Sequence, residues 1–320
     1  MGDFRGFIHG LTSSARQILH NELLFTVENG LVPAIPWQAI YDDPTETAHG
    51  WNFLKDTRTP WPVDGEQWLI GRVRQHGSPV RQRFIESSAG RLPYFREKLA
   101  IAIHVSGGQP ARAPELLSIR HCNTDSGGRR NVFIEDGLVV FVSQYHKGFY
   151  ASNDTKVIHR YLPREVGELV VYYLWLVLPF TRRLEAYVAK VRRLDGVEEI
   201  KSKIRQAYLW GPDPGTGRDW SSDRLREVLK RETTIGLNGQ AIHLNAYRDI
   251  AIGISRRFIR PSSAAHLSHV AGMIYSRGIT EQPGFVSTDD GGAESALGLA
   301  QFSPWQKEAE IGRTERRWQL

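Results

Sequence analysis

Five widely separated side chains have the types needed for chemistry on a phosphate ester. Arg112 stands in ARAPELL, three residues before Glu115. Lys147 lies in YHKG, and Arg248 in NAYRDIAIG. His266 and Tyr275 share the stretch AAHLSHVAGMIYSRG, nine positions apart. Two guanidiniums can hold an oxyanion in fork geometry and neutralise charge that builds on its non-bridging oxygens. An imidazole adds a hydrogen bond, and an ammonium can protonate a departing oxygen. A phenol is a nucleophile once deprotonated, and with an unperturbed pKa of about 10 it needs help to lose that proton.

Taken singly, each residue also has an ordinary use. Arg112 and Glu115 sit at i and i+3, the spacing of a surface ion pair. Lys147 fits a loop lysine, Arg248 beside Asp249 a solvated helix face, and His266 a satisfied core histidine. Tyr275 suits a half-buried packing position. The argument for chemistry therefore rests on the conjunction of all five and on the elements that carry them.

Those elements are read from periodicity. Phe7 to Val27 carries apolar residues at helical spacing. Pro33, Pro36, Pro44, Pro60 and Pro62 then interrupt regular structure. DGEQWLIGRVRQ and RLPYFREKLAIAIHVSG read as helices, the second ending at Gly107-Gly108. ARAPELLSIRHCNT is a short helix. NVFIEDGLVVFVSQYHKG changes period: two β-branched and aromatic runs flank Glu135-Asp136-Gly137, a hairpin signal. VIHRYLP is a third strand, and Pro163 opens a long helical tract. GPDPGTGRDWSSD is a loop whose glycines lack the strand-turn-helix frame of a phosphate cradle, with Ser222 or Asp223 capping the helix that follows. LNAYRDIAIGISRRFI and AHLSHVAGMIYSRG read as two further helices. The expected fold class is mainly α with a small antiparallel sheet of about three strands. Three regions are expected: a helical arm over 1–64, a catalytic domain over 65–280, and a flexible tail over 281–320.

Composition narrows the classes. Apolar residues make up 41% and charged residues 24%, values of a globular chain. Forty-one Lys and Arg against 35 Asp and Glu give a formal charge of +6. The isoelectric point near 9.4 favours a polyanionic partner. The single cysteine, Cys122, rules out an internal disulfide framework and a cysteine metal cluster, and fits a reducing compartment. The opening residues lack the apolar core of a secretory signal. The longest apolar run, 169–180, is shorter than the roughly 20 residues of a membrane span and reads as a buried helix. No membrane partner is expected.

ARAPELL, the hairpin lysine of YHKG, NAYR and the nine-residue spacing from His266 to Tyr275 together resemble the tyrosine recombinase (phage-integrase-like) family. That family orders its boxes in the same way. The resemblance spans roughly 65–280. Within it, KGFYASNDTKVIHRYLPREVGELVVYYLWLVLPF looks like the recombinase domains of fungal Crypton-type mobile elements.

The resemblance implies the recombinase catalytic fold and an N-terminal DNA-clamping region, of which 1–64 is short. It implies a DNA breaking-and-rejoining activity in which Tyr275 forms a 3′-phosphotyrosine bond. Arg112, Arg248 and His266 would bind the scissile phosphate, and Lys147 would protonate the departing 5′ oxygen. No cofactor and no metal enter this scheme. Two positions differ from the family pattern. Asn245 stands where the HxxR box usually has His, and the GHSS-type box reads Ala265-His266-Leu267-Ser268. His243 lies two residues before Asn245, on another side of a helix. Arg160, Arg182, Arg183, Lys190, Arg192 and Arg193 are candidate contacts to the DNA backbone, with ion pairs and a solvated helix face as the simpler account. Double-stranded DNA is the implied partner, with a homo-oligomer on paired sites and a nuclear location. Two alternatives stay open: an inactive recombinase relic that only binds DNA, and a helical scaffold for protein partners.

Overall fold

In α1 (Gly2–Gln17) the residues Phe7, Leu11 and Ala15 recur every fourth position, and all three are buried. The helix widens into a π turn over Ile18–Leu23, which buries Leu19 and Leu23. This is a computed structural model, described over residues 2–26, 31–75, 78–108, 110–145, 156–184, 207–211 and 219–258. It is mainly helical, with one three-stranded antiparallel sheet in the order β1-β2-β3. The apolar side chains of α1 join the same core as the rest of the chain.

After α1 the proline-rich stretch is irregular, apart from short 3₁₀ turns at Trp37–Ala39 and Phe53–Lys55. Then come α2 (Gly65–Gln75) and α3 (Ser78–Ser106). From Leu99 to Ser106 every residue of α3 is buried, so this helix runs through the centre. It stops at Gly107-Gly108, where Gly108 adopts φ +85°, as its sequence predicts. A short helix, α4 (Ala113–Leu117), follows with Arg112 as its N-cap residue.

Strands β1 (Val132–Glu135) and β2 (Leu138–Tyr145) form the expected hairpin. Asp136 and Gly137 both take positive φ, 49° and 68°, which is the two-residue turn that Asp-Gly favours. β3 (Lys156–Tyr161) pairs with β2 from Val140↔Tyr161 to Tyr145↔Lys156. Val132, Val139 and Phe141 face the main core, and Phe133, Val140 and Val142 form a smaller cluster on the other face.

Pro163 opens α5 (Arg164–Tyr172), which continues as a π turn over Tyr173–Val177. The apolar run expected to be a buried helix is one. Among the described residues no helix is long and apolar enough to cross a membrane. Helix α6 (Ser222–Gly236) is capped by Ser221, whose hydroxyl accepts from the Arg224 amide at 3.1 Å. The cap is thus one residue earlier than the expected Ser222 or Asp223, because either serine of the pair has the chemistry and only Ser221 has extended backbone there. Helix α7 (Leu244–Phe258) closes the described part. The expected helix around His266 and Tyr275, and the tail from 281, lie outside the described residues.

One ion pair ties the irregular segment to the sheet. Arg130 donates to both carboxylate oxygens of Asp42, at 2.6 and 2.8 Å, and the Ile134 amide donates to Asp42 at 2.9 Å. Both side chains are almost wholly buried. Burial pushes the Asp42 carboxyl above its ordinary pKa, although the guanidinium works against that shift. Removing one partner leaves the other charge buried alone. Asp42→Ala is therefore expected to cost about 3–5 kcal/mol in urea unfolding, whereas loss of the helix cap in Ser221→Ala costs about 1 kcal/mol.

Candidate phosphate-binding site

Arg112 enters the site because Pro114 starts α4 and fixes the chain direction at its first turn. The Arg112 amide donates to Glu115 at 3.2 Å, and its guanidinium lies 3.9 Å from the same carboxylate. The i, i+3 pair expected from sequence is present, but it is long and the arginine is 44% exposed. Such a pair contributes little to stability.

Glu115 also meets Arg160, at 3.5 Å. β3 brings this arginine in from the sheet, where it also donates to the Ser143 hydroxyl on β2. One carboxylate thus holds two guanidiniums from parts of the chain some distance apart in sequence. Arg160 lies on the inner side, 8% exposed.

Next to Arg160 sits His104, near the end of α3. It is 3% exposed, and neither ring nitrogen has a hydrogen-bond partner among the described residues. Its pKa is lowered to about 3, chiefly by burial and further by the charges of Arg160 and Arg248. Arg248 follows Tyr247 on α7. Helix α7 is held against α3 by Tyr247, whose ring lies tilted at 5.1 Å from His104 and whose hydroxyl donates to the Val105 carbonyl at 3.0 Å. Arg248 is half-buried, and Asn245, one turn earlier, is exposed. His243 is exposed and close enough to Glu227 on α6 to influence its carboxyl.

Glu115 therefore links Arg112 and Arg160, His104 shares a cavity wall with Glu115 and Arg160, and Arg248 follows the tyrosine that packs on His104. Behind Glu115 and Arg160 lies a cavity of about 420 Å³. Four arginines line it, Arg120, Arg129, Arg130 and Arg160, against one carboxylate, Glu115. Such a concentration of guanidinium donors suits an oxyanion. Among the described residues no three His, Cys, Asp or Glu side chains converge as a metal site.

The other expected residues fall into two groups. Lys147, Lys190, Arg192, Arg193, His266 and Tyr275 lie outside the described residues. Arg182 and Arg183 make their contacts elsewhere. Arg182 donates to His121 Nε2 at 2.7 Å beside a second cavity of about 620 Å³, and Arg183 pairs with Glu66. Sequence reasoning did not find His104, Arg120 or Arg129. For His104 the signal was one polar residue inside the apolar run LAIAIHV.

The buried imidazole has a consequence for stability. Its folded pKa is depressed from 6.5 to about 3. The unfolded chain therefore binds a proton that the folded chain does not as pH falls below 6.5. Its stabilising effect is complete above about pH 6.5 and is lost progressively toward pH 3, by about 1.4 kcal/mol per pH unit. Urea unfolding at pH 7 and pH 5 is expected to show this loss, and His104→Phe, which cannot titrate, is expected to flatten it. An equal pH dependence in the two proteins contradicts the assignment.

Comparisons of the chain with family models, with curated proteins and with solved structures find no match, so the functional reading rests on the residues themselves.

Proposed function

We propose that the chain binds double-stranded DNA through its phosphates and acts as a tyrosine recombinase-like enzyme of mobile-element type. The carrying observation is the sharing of Glu115 by Arg112 and Arg160, from two distant stretches, beside a cavity lined by further arginines. A phosphodiester oxyanion is the natural ligand of such a cluster. The helical architecture with a small sheet agrees in outline with the recombinase catalytic fold.

In this reading Arg112 and Arg248 neutralise the charge that grows on the scissile phosphate, and His266 adds a hydrogen bond. The Tyr275 phenol releases its proton to water as its oxygen attacks phosphorus, the bond to the 5′ oxygen breaks, and Lys147 supplies the proton to that oxygen. The phosphotyrosine retains the bond energy, so the reverse attack by a 5′ hydroxyl rejoins the strand without an energy-rich cofactor. The setting is nuclear, with copies of the chain assembled on paired DNA sites.

A second reading is favoured by one residue. Asn245 cannot accept a proton as the histidine of the HxxR box can, which supports a relic that binds DNA without cutting it. A nicked duplex carrying candidate element ends separates the two. The enzyme traps a covalent adduct that Tyr275→Phe abolishes while DNA affinity persists. The relic shows salt-sensitive binding and no adduct. In both, Arg112→Ala and Arg248→Ala are expected to weaken binding and reduce its dependence on salt; unchanged affinity in both variants at low salt overturns DNA binding by this cluster.

A further inference from the structure

The arginines of the cavity are not equally compensated. Arg130 is matched by Asp42, and Arg160 by Glu115. Arg120 and Arg129, by contrast, have no carboxylate within ion-pair distance among the described residues. Arg120 Nε and Arg129 Nη1 are buried with no hydrogen-bond partner there. The two flank the loop 121–128, which folds back through the Thr124 amide bonding to the Gly128 carbonyl at 2.9 Å. A Cβ on Gly128 would fall 2.5 Å from the Arg120 Nη1 and 2.6 Å from the Thr124 Oγ1, so the loop packs closely against this guanidinium. His104, buried and with both ring nitrogens unpartnered, borders the same cavity.

We infer that the wall formed by Arg120 and Arg129 is a second anion site, taking a phosphate monoester with an aromatic or apolar body. Two uncompensated guanidiniums match the two negative charges of a phosphate monoester, and buried N–H groups without acceptors gain most from an oxyanion. The cavity volume of about 420 Å³ falls in the range of small-molecule sites and exceeds the needs of a bare phosphate. The remaining walls include Phe133, Phe141 and Tyr208, which suit a nucleobase or another flat group. The ligand is thus of nucleotide type, either free or as a terminal phosphate of a DNA strand.

This site is independent of strand transfer and has its own test. Calorimetric titration of the full chain, at constant ionic strength, compares adenosine 5′-monophosphate, inorganic phosphate and adenosine. The monophosphate is expected to bind best and adenosine least. Arg129→Gln should weaken the monophosphate about tenfold, the effect of losing one charge-assisted contact, and Arg129→Lys should weaken it less. Arg120→Gln should act in the same direction, while Arg226→Gln, an exposed position of α6 paired with Asp223, should leave monophosphate affinity unchanged. Repeating the titration with a saturating duplex identifies the source: loss of the signal points to a phosphate of the strand, and its persistence to a free nucleotide. Equal monophosphate affinity in the folded Arg129→Gln variant and the unaltered chain overturns the inference, as does adenosine binding as tightly as its phosphate.

Discussion

Like charges brought together repel, and that repulsion is the constraint on which this molecule is built. Arg112 and Arg160 meet at Glu115, and Arg120, Arg129 and Arg130 line the same cavity as Arg160. Glu115 is shared by two of them, and Asp42 is committed to a third. His104 adds no charge of its own, because burial and its cationic neighbours keep it neutral through the physiological range. The positive field is therefore only partly offset, by Asp42 at short range and by Glu115 at longer range.

Holding that arrangement requires a rigid centre. α3 supplies it, buried on all sides near His104, with α6 fixed across it by ion pairs whose carboxylates are buried. Glu97 receives Arg224 at 2.9 Å and Arg231 at 2.8 Å, and Lys98 reaches Glu232 at 2.7 Å. Tyr173 in the π turn after α5 accepts from Arg96 at 2.8 Å and donates to the Leu209 carbonyl at 3.2 Å. These contacts satisfy polar groups that the packing would otherwise strand. Packing thus decides where α4 and α7 emerge, and with them Arg112 and Arg248.

Much of the fold was legible because local chemistry dictated it. Asp136-Gly137 can take the positive φ values that join β1 to β2, and Gly107-Gly108 can end a helix that apolar periodicity defines. Arg112 was legible as well, since Pro114 and Glu115 mark a helix start. What was hidden depends on distance in the sequence. Nothing local tells that Glu115 will serve Arg160 as well as Arg112, or that Arg182 will turn to His121, 61 residues away. His104 was passed over because an apolar run sets the helix and its single polar member looks incidental. Arg120 and Arg129 are ordinary loop cations until the fold shows that, among the described residues, no carboxylate comes to meet them.

Tyr247 and Arg248 are consecutive, and the first is keyed into the core through its hydroxyl. Successive residues of a helix point about 100° apart, so the anchored ring sets the azimuth of its neighbour as a key sets a lock. Adding or deleting a residue ahead of α7 can be absorbed by the turn before it. An added residue between these two would rotate the guanidinium by a quarter turn or more, away from its present side. The spacing of that dipeptide is the least negotiable length in this part of the chain.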